Sequence, residues 1–353
     1  MAHDRVDGYL RLLAEKEGGT DLHLKVGSPP RLRVKGMLET LPDEEPLDKP
    51  TLDAMAAGVL TSGAKDRFLE NREAECTYSV HGLGRFRVAA YLQRGSIALI
   101  LRRVTTAARS FAELGLPASL GDLAAVERGL VLVAGPAGSG VTTTLAAMVD
   151  HINHTRACHI VTVEDPVEVL HKDDLAAISQ RQVGTDTPGV ALGVRSALRQ
   201  DPDVIVIGDI DGRDVADAAL AAAEAGCVVI AGVRADDVPS AVSAVVAHYS
   251  EQDAPHARLA VAGALVGAVS IRLVPAKAGA ARVPAVEILR VTPAVQAAIM
   301  GDEPAELQAA MVQTLNQALA SLLEAGTIDE RAALAATPDW PGFRTVLESR
   351  GLM

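Results

Sequence analysis

Apolar residues recur at helical spacing over residues 6–13, and the segments Asp21-Leu22-His23-Leu24-Lys25-Val26 and Arg31-Leu32-Arg33-Val34 then alternate as half-buried strands do. Gly27 and the Pro29-Pro30 pair mark a turn between them. Residues 52–69 read as a helical stretch, and strand patterns follow at residues 75–80, 85–92 and 97–104 with no helix between them. Strands in direct succession predict a small α+β unit built on a mostly antiparallel sheet.

From Gly129 the grammar changes. Short apolar strands at residues 130–134, 160–163, 204–208 and 228–233 alternate with helical stretches, which predicts an α/β unit whose parallel sheet is covered by helices. The boundary is predicted between Thr105 and Gly121, where the strand pattern stops and Pro117 and Gly121 punctuate a polar connection. The apolar run at residues 259–269 is rich in Ala and Gly and falls short of the roughly 20 residues needed to span a bilayer, so it predicts a buried helix. Residues 293–350 read as several amphipathic helices, one of them capped by Thr327-Ile328-Asp329-Glu330.

Composition narrows the picture. A chain of 353 residues is long enough for two domains with separate cores, and aromatic residues at 3% make those cores aliphatic. With 45 acidic against 33 basic side chains the formal charge is −12, which repels nucleic acid and an anionic membrane surface, so contact with a membrane is peripheral at most. Cys76, Cys158 and Cys227 are isolated and lack metal-site spacing, which fits a reducing compartment. Met1 is followed by His3, Asp4, Arg5 and Asp7 with no apolar stretch, so a secretory signal is not expected and the predicted location is cytoplasmic.

The chemistry centres on one loop. After the strand at residues 130–134 comes Gly135-Pro136-Ala137-Gly138-Ser139-Gly140-Val141-Thr142, which fits the phosphate-loop pattern GxxxxGK[ST] everywhere except at lysine, replaced by Val141. Thr143 follows, and residues 143–150 read as the helix that the motif requires. Backbone N–H groups of such a loop and the helix N-terminus cradle phosphate oxygens. A purely structural glycine turn is the competing reading, and the full glycine spacing with Thr142 argues against it. Valine supplies neither charge nor donor to the phosphates.

With Asp21-Leu22-His23-Leu24, Gly84-Arg85-Phe86-Arg87-Val88, Val163-Glu164-Asp165-Pro166-Val167-Glu168 and Arg195-Ser196-Ala197-Leu198-Arg199-Gln200-Asp201-Pro202-Asp203 added, the chain resembles the type IV pilus retraction ATPases, the PilT and PilU group of the secretion ATPase superfamily, from about residue 20 to residue 290. The resemblance implies a PAS-like N-terminal domain (1–108), a RecA-like P-loop core (109–290) and a C-terminal helical subdomain (291–353). It also implies a ring of six subunits, homo- or hetero-hexameric with pilus motor ATPases, binding ATP and Mg at the cytoplasmic face of the inner membrane beside a platform protein.

By the same resemblance Glu164 polarises the attacking water, and Thr142 and Asp209 attend the metal. A solvated acidic loop is the competing reading for the Glu164 segment. The family carries glutamate where Asp209 stands and two histidines where Cys227 and Arg234 stand. Arg234 is then either an ordinary surface arginine or a cation compensating for the missing lysine. Arg85, Arg87 and Arg102 match arginines that reach a neighbouring subunit's nucleotide, although arginines on alternating strand positions also simply face solvent. Two functions follow: a retraction-type motor subunit with impaired ATP hydrolysis, or a noncatalytic ring subunit or adaptor regulating a competent motor. An unrelated P-loop enzyme, such as a GTPase or small-molecule kinase, is a weaker third.

Overall fold

A computed structural model describes residues 2–104, 108–277, 279 and 281–352 of the chain. The chain forms two compact units, Met1–Thr106 and Ala107–Met353. The start of the predicted boundary, Thr105, lies outside the described residues.

The first unit contains helix α1 (Ala2–Glu15), strands β1 (Gly19–Lys25), β2 (Arg31–Val34) and β3 (Met37–Thr40), helices α2 (Lys49–Val59) and α3 (Ser62–Asn71), and strands β4 (Glu73–Val80), β5 (Gly84–Gln93) and β6 (Ser96–Arg103). The strands form an antiparallel sheet in the order β3-β2-β1-β6-β5-β4. Alternate residues, among them Leu22, Leu24, Phe86, Val88, Leu99 and Leu101, turn inward against Leu10 and Leu13 of α1 and Leu52 and Met55 of α2. The single helix expected at residues 52–69 is two, because Thr61 takes an extended conformation and its hydroxyl accepts from the Ala64 N–H, starting α3 afresh. Strand β3 has no alternation to read, since all four of its residues are exposed.

The second unit contains α4 (Phe111–Leu114), α5 (Leu120–Ala124), β7 (Gly129–Ala134), α6 (Val141–Thr155), β8 (His159–Glu164), β9 (Ala177–Gln182), α7 (Val190–Ala197), β10 (Val204–Ile207), α8 (Arg213–Glu224) and β11 (Val228–Val233). It continues with α9 (Val238–Val246), α10 (Ala254–Ala264), β12 (Leu265–Pro275), β13 (Arg282–Arg290), α11 (Pro293–Gly301), α12 (Pro304–Ala309), α13 (Leu315–Glu324), α14 (Glu330–Ala336) and α15 (Trp340–Ser349). The sheet order is β13-β12-β7-β11-β10-β8-β9. All neighbours run parallel except the hairpin β12–β13, so the helix-covered parallel sheet expected is present, with one antiparallel strand added at its edge. Strands β7 and β11 are buried at every residue because helices cover both faces. Leu130 and Leu132 face the alanine-rich α8, and Val131 and Val133 face Met148 and Ile152 of α6.

Two further expectations are corrected. The run 259–269 is not one helix: α10 ends at Ala264, Leu265 turns extended, and β12 pairs alongside β7. The β-branched Val266 and Val269 favour the strand once that neighbour is there to pair with. The cap in the C-terminal segment is Asp329, whose carboxylate accepts from Ala332 N–H at the start of α14, rather than Thr327. Among the described residues no helix is long and apolar enough to cross a membrane.

The last three helices pack on the hairpin end of the sheet, where Leu319 and Phe343 meet Val274 and Ala285. Trp340, the one tryptophan of the chain, opens α15 and tilts against Phe343 at 6.2 Å between ring centres.

A buried carboxylate joins these layers. Glu287 on β13 is 4% exposed and accepts the first N–H of two helices, Val238 of α9 at 3.2 Å and Leu315 of α13 at 3.3 Å. Both N-termini present partial positive charge to it. Glu287→Ala orphans both donors and is expected to cost about 2–4 kcal/mol in chemical denaturation. Burial pushes its pKa above the ordinary 4.5, against the two backbone donors that lower it. The folded state therefore holds this proton more tightly than the unfolded one, and stability falls as pH rises from about 4.5 through the raised value. Glu287→Gln is expected to flatten that part of the stability profile, measured by denaturant titration across pH.

Candidate functional site

The loop after β7 is shaped for close approach. A Cβ on Gly135 would collide with Ser139 Oγ and lie 2.9 Å from the Ile271 carbonyl oxygen, so only glycine fits there. Gly138 and Gly140 hold φ of 78° and 103°, the left-handed region glycine adopts without strain. Gly140 caps α6 without any side-chain hydrogen bond, which leaves the first N–H groups of a long helix free for an anion. Ser139 is buried and its Oγ has no hydrogen-bond partner among the described residues.

Val141, the first residue of α6, is half-buried and packs into the apolar layer with Val131 and Val133. Its Cγ1 lies 3.3 Å from where a Cβ on Gly232 would stand. The side chain at the lysine position is thus folded against the sheet.

Sheet order brings the remaining groups to the same edge, because β7, β11, β10 and β8 are consecutive neighbours whose C-terminal ends lie together. Glu164 ends β8, Asp209 follows β10, and Arg234 follows β11. Glu164 Oε1 accepts from Thr162 Oγ1 at 2.6 Å and from Gln180 Nε2 at 3.3 Å. Burial raises its pKa, and those hydrogen bonds only partly hold it down. A carboxylate so tuned suits a general base. Asp209 Oδ2 meets Arg234 Nη2 at 2.6 Å. Burial raises the Asp209 pKa, and the charge of Arg234 opposes that.

These residues share a cavity of roughly 570 Å³, with Gly135, Pro136, Gly138, Gly140, Val141, Thr142 and Thr143 on one wall and Glu164, Asp209 and Arg234 on another. Ala137 and Ser139 of the loop do not line it. Cys227 does not either: it precedes β11 at the strand's opposite end, with its Sγ 3.4 Å from the Pro202 carbonyl oxygen. The pattern reading missed Thr162, Asp211, His171 and Arg282 of the lining. It also missed Gln180, which holds Glu164 from a strand too polar to announce itself.

The three arginines expected to act between subunits belong to the first unit. Arg87 and Arg102 are register partners on β5 and β6 and share the polar face of the sheet. Arg87 Nη2 holds Glu75 at 2.6 Å and Arg102 Nε holds Asp21 at 2.6 Å, while Arg85 Nε is buried without a hydrogen-bond partner among the described residues.

The glycine cradle and the uncapped helix fit a polyphosphate. A magnesium ion fits poorly, because Asp209 is already engaged by a guanidinium. Among the described residues no three His, Cys, Asp or Glu side chains gather where they could hold a metal. A phosphate loop opening a helix at the C-terminal edge of a helix-covered parallel sheet defines a RecA-like P-loop ATPase fold.

Comparison with known proteins narrows that class. Residues 85–298 match the family described as Type II/IV secretion system protein. The type IV pilus ATPase PilU of Pseudomonas aeruginosa is 34% identical over 92% of this chain and 87% of its own length. The retraction ATPase PilT of the same organism is 34% identical over 92% of this chain and 96% of its own. A crystal structure of the pilus retraction motor PilT with bound ADP superposes with a TM-score of 0.88 at 33% identity, covering 97% of this chain and 98% of that one. The chain belongs to the type II/IV secretion ATPase family, in its PilT-like branch.

Proposed function

We propose that the chain is a nucleotide-binding subunit of a type IV pilus retraction motor, assembled in a six-membered ring on the cytoplasmic side of the inner membrane, whose own ATP hydrolysis is strongly impaired. One observation carries this reading: the phosphate loop keeps its glycine geometry while Val141, half-buried against the sheet, stands where a cation belongs. In hydrolysis a water oxygen attacks the γ-phosphorus, the bond to the ADP oxygen breaks, and Glu164 takes the water's proton. The loop N–H groups orient the phosphates throughout. Losing one preorganised charge at such a transition state costs on the order of 100- to 1000-fold in rate.

The test is calorimetric titration with ATP beside phosphate release from the purified chain. Binding with turnover far below that of a lysine-bearing relative supports the proposal, and turnover equal to that relative's refutes the impairment. A second reading, a regulatory subunit completing a competent neighbour's site, is favoured by the retained arginine face of the first unit, with Arg87 and Arg102 paired across the strands. Mixing with a competent motor reads it directly: the motor's ATPase rate changes if the chain joins its ring, and Arg85→Ala/Arg87→Ala/Arg102→Ala removes the change.

A further inference from the structure

The cavity walls carry more negative than positive charge. Glu164, Asp165, Glu168, Asp209 and Asp211 line it against Arg234 and Arg282. Arg282 opens β13, at the hairpin end, and Val141 stands where a further cation would offset the acids. A triphosphate entering this space needs positive charge to be held. A magnesium ion drawn between Asp209 and the phosphates would compete with the guanidinium already bound to Asp209 Oδ2.

We propose that the site takes a polyphosphate nucleotide without a divalent metal, and that Arg234, held in place by Asp209, is the phosphate-binding cation. The inference rests on the nucleotide-binding reading above. Strand register supports it. Val233 pairs with Ala134 and its carbonyl accepts from Gly135 N–H at 3.3 Å, so Arg234 is carried alongside the first residue of the loop. On the other side Ile210 N–H donates to the Gly232 carbonyl at 2.9 Å, which sets Asp209 against the same strand end.

The exposures show how the pair is divided. The Arg234 side chain is 79% exposed and that of Asp209 28%, so the carboxylate holds one guanidinium nitrogen and leaves the rest open. A guanidinium has five N–H donors in a fixed fork and stays charged at any working pH, so it binds a carboxylate and a phosphate oxygen together. Asp209 is then a positioning residue, orienting a cation rather than a metal's water shell.

The experiment is calorimetric titration of the full chain with ATP, once in EDTA and once in excess magnesium, on the wild type, Arg234→Gln, Arg234→Lys and Asp209→Asn, with thermal melts confirming that each variant is folded. The wild type is expected to bind as tightly in EDTA as in magnesium. Arg234→Gln is expected to weaken binding in EDTA by about 10- to 100-fold, the value of a hydrogen bond to a charged group. Arg234→Lys recovers part of that loss, and Asp209→Asn, which loosens the guanidinium it orients, weakens metal-free binding in the same direction but by less than Arg234→Gln. Binding that requires magnesium, or an Arg234→Gln variant that binds ATP normally in EDTA, overturns the inference and leaves the nucleotide-binding reading standing. Absence of binding in both buffers defeats the two together.

Discussion

Val141→Lys is expected to raise ATP turnover by roughly 100- to 1000-fold, the span by which one preorganised charge changes the rate of phosphoryl transfer. The position allows it. Val141 opens α6 directly after Gly140, and its Cγ1 already lies over Gly232 at the cavity edge, so a lysine stem can follow the same path with its ammonium reaching the cavity. Steady-state phosphate release from the wild type and the variant provides the measurement. Turnover equal in the two would move the defect from the missing lysine to the Asp209–Arg234 pair, and the double variant Val141→Lys/Arg234→Ala would then be the one to gain activity.

The largest expected loss of stability comes from one added methyl group. A Cβ on Gly232 would collide with the carbonyl oxygen of Gly208 and stand 3.2 Å from its carbonyl carbon, both backbone atoms of the neighbouring strand end. Backbone cannot rotate away as a side chain can, so Gly232→Ala must part β10 from β11 and is expected to destabilise the second unit by about 3–5 kcal/mol. Because those strands carry Asp209 and Arg234, nucleotide binding should fall along with the thermal midpoint. A variant with an unchanged midpoint would show that the strand ends yield more readily than their spacing suggests.

Where pattern and periodicity are strong, the fold is legible from residues alone. The antiparallel strands of the first unit alternate cleanly, and β7, β8, β10 and β11 stand out as short apolar runs between helices. Strand β9 escapes because Ala177–Gln182 is mostly polar and half-exposed at the sheet edge. β12 escapes because its Ala- and Gly-rich start continues a helix without a break in polarity, and only pairing with β7 decides its conformation.

The site divides the same way. The loop is local in sequence and its glycine spacing declares it, whereas Asp209 and Arg234 meet only through the register of two parallel strands. Glu287 is further from view still: a lone glutamate in an apolar stretch gives no sign that two helix N-termini converge on it.

The placement of Trp340 has a practical side for spectroscopy. As the sole indole, seated on α15 beside Phe343 and not among the residues that line the phosphate cavity, it makes fluorescence a reporter of the C-terminal helical layer rather than of direct contact at the site. Emission should follow the loss of packing around Phe343, so a melt read by fluorescence and one read by far-ultraviolet dichroism coincide only if that layer unfolds together with the sheet. A fluorescence change on adding nucleotide would mean that the layer senses occupancy of the loop at a distance.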